Sequence, residues 1–377
     1  MVERIRRLGP IPFDDYLELA LYAPDAGFYA NGGAAGRSGD FLTSPEIGPL
    51  FGAVLARALD QWWEELGAPD PFVVVEAAAG VGTLAKAVLA ASPQCAPALR
   101  YLLVERSELL RHRQPSVLAV EPAATVLGPV APSDEDDGDG PQVLPGGGPR
   151  VASLSELPSG PLTGVVFANE LLDNLPFVLL ERTARGWSEV RVAESPGVHG
   201  PSLVEVLTPA SAIDADMAER LVPSAPEGSR IPIQGRAVEW IRDALRRLSR
   251  GRVVLVDYAS TTDDLARRPL DEWLRTYRRG APGTGALDRP GSQDITVEVC
   301  IDQLARVQVP VSNRPQHEFL SAHGLEALTD AARAAWQSAA SAPDTAALRA
   351  KSRLGESAAL ADPSGLGAFR VLEWTVG

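Results

Sequence analysis

Acidic side chains at the ends of short apolar runs are the residues of this 377-residue chain best suited to chemistry. Glu76 opens the segment Glu76-Ala77-Ala78-Ala79-Gly80-Val81-Gly82-Thr83. Two glycines in such a turn let a ligand approach the backbone where a side chain would block it. A helix beginning at Thr83 would aim its N-terminal N–H groups at the same ligand. Glu105, behind Tyr101-Leu102-Leu103-Val104, is placed to accept both hydroxyl protons of a ribose. Asn169-Glu170 closes the run Gly164-Val165-Val166-Phe167-Ala168, and Asp257-Tyr258 closes Arg252-Val253-Val254-Leu255-Val256. A nucleoside-containing cofactor follows from the pairing of residues 76–83 with Glu105.

Several such cofactors remain open. The glycines also read as G-x-G-x-x-A, with Glu105 near the distance usual for the acidic partner of a dinucleotide. A nicotinamide or flavin dehydrogenase therefore competes, and a non-catalytic glycine turn is a third reading. S-adenosylmethionine is favoured by Glu76, whose carboxylate suits the cationic side of that cofactor and would repel a pyrophosphate. Asn169-Glu170 favours it too, because such a pair after a later strand is typical of methyltransferase sites.

The elements that must position these groups are legible. Phe72-Val73-Val74-Val75 and the three runs named above lack polar alternation, as expected of strands buried on both faces. Helical stretches between them argue for an α/β fold with a parallel, doubly wound sheet. Groups at the strand ends then gather at the carboxyl edge, where ligands bind in open sheets, and should face one crevice. Ahead of the sheet, Phe13–Tyr22 repeats its apolar residues at helical spacing and stops at Pro24-Asp25-Ala26-Gly27. A glycine-rich loop over 31–39 leads into Asp40-Phe41-Leu42-Thr43-Ser44-Pro45-Glu46, where Ser44-Pro45 starts a helix. The next helix runs through Phe51, Leu55, Leu59 and Trp62-Trp63; the tryptophans serve either the core or an interface, which leaves a homodimer open.

Trp187-Ser188-Glu189-Val190-Arg191-Val192 and Leu203-Val204-Glu205-Val206-Leu207 predict a small β-rich insertion. The chain thus divides into an N-terminal helix and cofactor-covering loop (1–50), a Rossmann-like core (51–177), the insertion (178–235), and the rest of the core with substrate-channel loops (236–377). A Pro/Gly/Asp-rich loop spans about 115–150. Its acidic run Asp134-Glu135-Asp136-Asp137-Gly138-Asp139 is a solvated loop or a docking patch for a basic partner.

Composition narrows the function further. Apolar residues make up 45% and charged residues 22%, ordinary values for a globular protein. No apolar run reaches the roughly 18 to 20 residues that span a bilayer, and none near Met1 suits a signal peptide. A membrane role and export are therefore not expected. Two cysteines without CxxC spacing fit a reducing, cytoplasmic setting, and no metal site is expected. A formal charge of −14 argues against a nucleic-acid partner and leaves room for a basic protein or peptide.

Longer blocks resemble one family, the MidA (DUF185) methyltransferases, relatives of the mitochondrial complex I assembly arginine methyltransferase. They are Tyr16-Leu17-Glu18-Leu19-Ala20-Leu21-Tyr22 with Gly27-Phe28-Tyr29, Gly39 and Asp40 through Ile47, and Glu105-Arg106-Ser107. Asn169-Glu170-Leu171-Leu172-Asp173-Asn174-Leu175-Pro176, Asp257-Tyr258 and Pro290-Gly291-Ser292-Gln293-Asp294-Ile295-Thr296 follow in order. The resemblance implies a class I methyltransferase fold with an inserted substrate-binding region. It also implies methyl transfer from S-adenosyl-L-methionine to an arginine guanidinium of a protein, with S-adenosyl-L-homocysteine as product. Glu76, Ala78, Gly80, Gly82, Thr83, Glu105 and Asn169 would then bind cofactor, with Asp40 or Ser44 covering it. Asp40 and Pro45 could equally be a turn cap and a helix start.

Glu170 becomes the main guanidinium partner, assisted by Asp257 and Tyr258. Asp173 is a further catalytic candidate or a helix cap. The segment Gln293-Asp294-Ile295-Thr296 lines the acceptor channel or starts a helix. Departures from the family pattern are Ala78 in place of the first glycine of E-L-G-P-G-x-G-T, Ala259, and Tyr277-Arg278-Arg279-Gly280 without its histidine. If position 78 needs a positive φ, alanine costs about 1–2 kcal/mol there. Two alternatives stand beside the arginine methyltransferase: an inactive relative serving as an assembly or interaction factor, and a methyltransferase of another peptide or small molecule.

Overall fold

The computed structural model describes residues 1–30, 43–128, 146–197, 200–278 and 281–377. The chain forms two compact units. One holds 42–170, 243–256 and 310–377; the other holds 1–41, 171–242 and 257–309. The insertion read over 178–235 thus shares a unit with the N-terminal segment and with a later stretch of chain, a different cut from the four-part division.

The first unit is built on seven strands: β1 (Phe72–Ala77), β2 (Leu99–Val104), β3 (Arg150–Leu154), β4 (Leu162–Asn169), β5 (Leu248–Asp257), β6 (Ser312–Pro315) and β7 (Arg370–Val376). Their order across the sheet is β3-β2-β1-β4-β5-β7-β6. Strands β3 to β5 pair in parallel, and β6 pairs with β7 antiparallel. Every residue of β1 and β2 is buried, which is why these runs show no polar alternation. Each fully buried Val or Leu contributes about 1.5–3 kcal/mol relative to an exposed one. The strand order reverses between β1 and β4, and such a switch point opens a crevice at the carboxyl ends.

The helix Pro49–Glu65 buries Leu50, Phe51, Val54, Leu55, Ala58, Leu59 and Trp62. That spacing of three and four residues presents one apolar stripe. Trp62 is core: its ring lies against Phe319 and His323, with the Arg252 guanidinium 5.1 Å from its centroid. Trp63 is half-buried and donates its indole N–H to the Pro69 carbonyl at 3.0 Å.

The second unit carries an antiparallel sheet of Ile11–Pro12, Val178–Thr183, Gly186–Gly197, Gly200–Pro209 and Arg230–Ile233. The helix Phe13–Tyr22, bounded as its spacing predicts, buries Phe13, Tyr16, Leu17, Ala20 and Leu21 in a core with Phe177, Leu179, Val190, Val192 and Trp273. A three-stranded antiparallel sheet adds Ala281–Pro282, Leu274–Arg278 and Asp294–Val297. Gln293-Asp294-Ile295-Thr296 is therefore strand entry, with no helix starting there. Cys95 and Cys300 are free and buried, and burial pushes both thiols well above their usual range. Among the described residues no helix is long and apolar enough to cross a membrane.

Candidate active site

Strand β1 ends at Ala77, and the helix Thr83–Ala90 begins six residues later. The turn between them depends on left-handed backbone: φ is 56° at Ala78, 53° at Gly80 and 88° at Gly82. Ala78 thus occupies the conformation that the family's glycine would take, at the cost expected for a Cβ there. A Cβ on Gly82 would lie 2.7 Å from a Leu118 methyl, whereas one on Gly80 would meet nothing within 4 Å. Gly80 therefore borders open space, as a cradle for a ligand must.

Glu76, in the last turn of pleat of β1, is 5% exposed. Its Oε2 accepts the Tyr101 hydroxyl at 2.7 Å, and its carboxyl also takes the backbone N–H of Ala85 in the following helix. Burial pushes its pKa up to about 8; the two hydrogen bonds oppose that rise and the charge of Glu105 adds to it. The side chain expected to face a cofactor cation ties strand, neighbouring strand and helix together.

Glu105 follows β2. Its Oε2 accepts Gly80 N–H at 2.9 Å and its Oε1 accepts Ser107 N–H at 2.7 Å. Burial raises its pKa, while the amides of Ser107, Gly80 and Arg106 and the Arg111 charge oppose the rise. A carboxylate has about four lone-pair sites, so this one keeps room for a ribose hydroxyl beside its backbone partners. Gln114, which no spacing or motif singles out, lies beneath the same turn: fully buried, it donates Nε2–H to the Gly80 carbonyl at 2.8 Å. Its Oε1 is buried without a partner among the described residues. The open face of Gly80 and the spare acceptor capacity of Glu105 fit a nucleoside-bearing cofactor.

On the other side of β1, the register sets Ala77 opposite Ala168 of β4, and opposite Val104 of β2. Ala78, Glu105 and Asn169 are therefore level at the carboxyl ends of three adjacent strands. Asn169 donates Nδ2–H to Glu170 Oε1 at 2.9 Å. Glu170 has φ 51°, and its N–H donates to the Val256 carbonyl at 2.8 Å. The structure brings Glu76, Ala78, Gly80, Gly82, Thr83, Glu105, Asn169 and Glu170 to one edge of one sheet.

Ser44 belongs to the same unit but is fully buried, with its hydroxyl donating to Gln316 Oε1 at 3.0 Å. Its polar atom serves the packing, where a cofactor contact was expected. Asp40, Arg279 and the acidic run over 134–139 lie outside the described residues.

In the other unit, Asp257 is fully buried and holds the short turn Leu172–Asn174. Its Oδ2 accepts the N–H groups of Leu172 and Asp173 at 3.0 and 3.4 Å, and its Oδ1 accepts Tyr258 N–H at 2.9 Å. Asp257 therefore does the capping that was one reading of Asp173. Asp173 itself is 3% exposed. Burial first, then the charges of Asp257 and Asp294, hold its carboxyl well above the usual range. Asp294, in the segment expected to line the acceptor channel or start a helix, accepts the Tyr29 hydroxyl and the Asn174 side-chain amide, each at 3.1 Å. Tyr258 is half-buried, with the Arg275 guanidinium 5.8 Å from its ring centroid. Among the described residues no group of His, Cys, Asp and Glu is arranged to hold a metal ion.

Comparison with known proteins fits this geometry. The family described as "Putative S-adenosyl-L-methionine-dependent methyltransferase" (Methyltransf_28) matches residues 54–314. The human mitochondrial protein arginine methyltransferase NDUFAF7 is 28% identical over 345 residues, covering 86% of this chain and 73% of that protein. Its Drosophila melanogaster homologue is 45% identical over 86 residues, which are 23% of this chain and 20% of that one. A crystal structure of a COG1565 superfamily member from Burkholderia thailandensis, bound to S-adenosyl-homocysteine, superposes with a TM-score of 0.78 at 27% identity, covering 99% of this chain and 89% of that chain.

Proposed function

The chain belongs to that S-adenosyl-L-methionine-dependent methyltransferase family, and from this premise we propose that it methylates an arginine guanidinium nitrogen of a protein or peptide. The observation that carries the reading is the level row of Ala78, Glu105 and Asn169 at the switch point, followed by Glu170. The names of the mitochondrial relatives support the acceptor class. The net charge of −14 suits a basic acceptor segment.

When bound, the cofactor supplies an electrophilic methyl group, which passes to the acceptor nitrogen as the bond to sulfur breaks. The protein's task is positioning. Gly80 leaves its face open to the ligand, and Glu105 accepts from the ribose while keeping its backbone N–H partners. Ala78 supports an active site over a lapsed one, since it keeps the left-handed turn despite its Cβ. Glu170 meets the guanidinium. Its carboxylate would orient the planar fork through charge-assisted N–H bonds and stabilise the charge as a proton leaves nitrogen. Asn169 steadies that carboxylate through its Nδ2–H. For Asp257 the hydrogen bonds favour a positioning role, fixing the turn that carries Asp173; Asp173 and Tyr258 remain candidates on the acceptor side.

Calorimetry with S-adenosyl-L-homocysteine, followed by mass spectrometry of arginine-containing peptides incubated with S-adenosyl-L-methionine, tests the reading. Binding together with a 14-dalton gain on arginine is the expected result. No heat at millimolar ligand, or methyl groups confined to other residues, overturns it.

A further inference from the structure

We infer that Gln114 is a positioning residue of the cofactor turn, fixing Gly80 from the carbonyl side while Glu105 fixes it from the amide side. The inference rests on the reading of Gly80 and Glu105 as cofactor groups and adds a residue to it.

Both backbone polar groups of Gly80 end on side chains. Its N–H reaches Glu105 Oε2 at 2.9 Å and its carbonyl receives Gln114 Nε2–H at 2.8 Å. Elsewhere in the turn the bonds run between backbone groups: Ala79 N–H donates to the Val104 carbonyl at 3.1 Å and Gly82 N–H to the Ala79 carbonyl at 2.8 Å. Glycine has no Cβ to restrict its backbone, and φ of 53° is one of several conformations open to it. Two side-chain bonds on opposite ends of one residue select a single orientation of the flanking peptide planes.

The segment that follows Gln114 completes the support. Leu118 donates its N–H to the Gln114 carbonyl at 3.1 Å and fills the space where a Cβ on Gly82 would stand. Residues 114–118 thus form a floor under the turn from Gly80 to Gly82.

What marks Gln114 as more than packing is its other atom. The side chain is fully buried, and Oε1 has no partner among the described residues. An unsatisfied buried acceptor is a desolvation loss with no return. Methionine fills a similar volume without that loss and lacks only the N–H directed at Gly80. A residue serving stability alone would be better as methionine; one serving the turn must keep its donor.

The test measures two quantities on the full chain and its Gln114→Met, Glu105→Gln and doubly substituted forms. These are the melting temperature without ligand and the dissociation constant for S-adenosyl-L-homocysteine. Gln114→Met is expected to melt at or above the wild-type temperature yet bind about threefold to tenfold more weakly, the range of one net hydrogen bond. Because both substitutions act on Gly80, the double variant is expected to lose less than the product of the single losses. Unchanged affinity in Gln114→Met, with weakened binding in Glu105→Gln, overturns the role of Gln114 and leaves the cofactor reading standing. Unchanged affinity in both overturns the two together. A melting temperature lowered by more than about 5 °C, with affinity loss matching the unfolded fraction, returns Gln114 to a structural role.

Discussion

Ala78 and Glu170 each stand one residue beyond the end of a strand, on neighbours that pair in parallel, and both hold a left-handed φ, 56° and 51°. Neither is glycine, and each Cβ costs about 1–2 kcal/mol in that region. Such strain persists only where the surroundings over-determine the backbone. At Glu170 the bond from its N–H to the Val256 carbonyl is one of those constraints. Two strained residues one register step apart at a switch point mark the edge as built for something other than stability.

Relieving the strain at Ala78 should therefore be beneficial. Ala78→Gly is expected to stabilise the chain by about 0.5–1 kcal/mol, after the extra entropy of an unfolded glycine is deducted. Ala78 is exposed, so no packing is lost. Urea denaturation reads the gain, and homocysteine-cofactor affinity should hold or tighten. A less stable glycine variant would contradict the strain argument.

Glu170 separates stability from chemistry. Glu170→Gln is expected to lower methyl transfer by at least about 100-fold while S-adenosyl-L-homocysteine binding shifts by less than about threefold. Glu170→Gly should be equally inactive and yet more stable than the glutamine form, because the strain goes with the side chain. Transfer rates and melting curves for the pair decide the matter; an active glutamine variant removes Glu170 from the reaction.

At Glu105 the order of effects reverses. Glu105→Ala strands the N–H groups of Gly80 and Ser107 as well as the ribose hydroxyls. A loss of about 10-fold to 100-fold in cofactor affinity is expected, given that hydrogen bonds to a charged group are worth about 1.5–3 kcal/mol. Transfer at saturating cofactor should change by only several-fold. Calorimetry and saturation kinetics check the split, and results exchanged between Glu105 and Glu170 would refute both roles.

Glu76 predicts a pH dependence. Folded, its pKa lies at about 8 against 4.5 for the ordinary group. Between those values the folded chain holds a proton that the unfolded chain has released, so stability falls as pH rises through the window and levels off above it. Glu76→Gln cannot titrate and still offers an oxygen to the Tyr101 hydroxyl. Relative to wild type it should gain stability steadily from about pH 5 to pH 8. Denaturation curves for both forms that run parallel across that range would show that Glu76 is not held protonated.

The sequence reveals β1, β2, β4 and β5 because strands buried on both faces must be apolar throughout. It also reveals Glu76, Glu105, Glu170 and Asp257, since each ends such a run. Strand β3 is hidden: Arg150-Val151-Ala152-Ser153-Leu154 pairs on β2 but carries too few apolar residues to stand out beside a Pro/Gly-rich loop. Strand β7 was there to be found, with Val371, Leu372 and Trp374 fully buried, though short polar interruptions at Glu373 and Thr375 blur its period. The roles of Ser44, Glu76 and Asp257 were not legible, because a carboxylate or hydroxyl looks the same in sequence whether it meets a ligand or a backbone N–H. Gln114 left no trace at all. Its part depends on one side-chain amide reaching a carbonyl 34 positions earlier.

Strand β7, late in the sequence, is an interior one, lying between β5 and β6. The other unit likewise draws on three separate stretches of chain, the last of them 257–309. During synthesis neither body can close early: residues from the beginning must wait for partners that leave the ribosome some hundreds of positions later. Folding here is a late, long-range event, and a chain cut short before Arg370 would leave β5 with a bare edge offered to any neighbour.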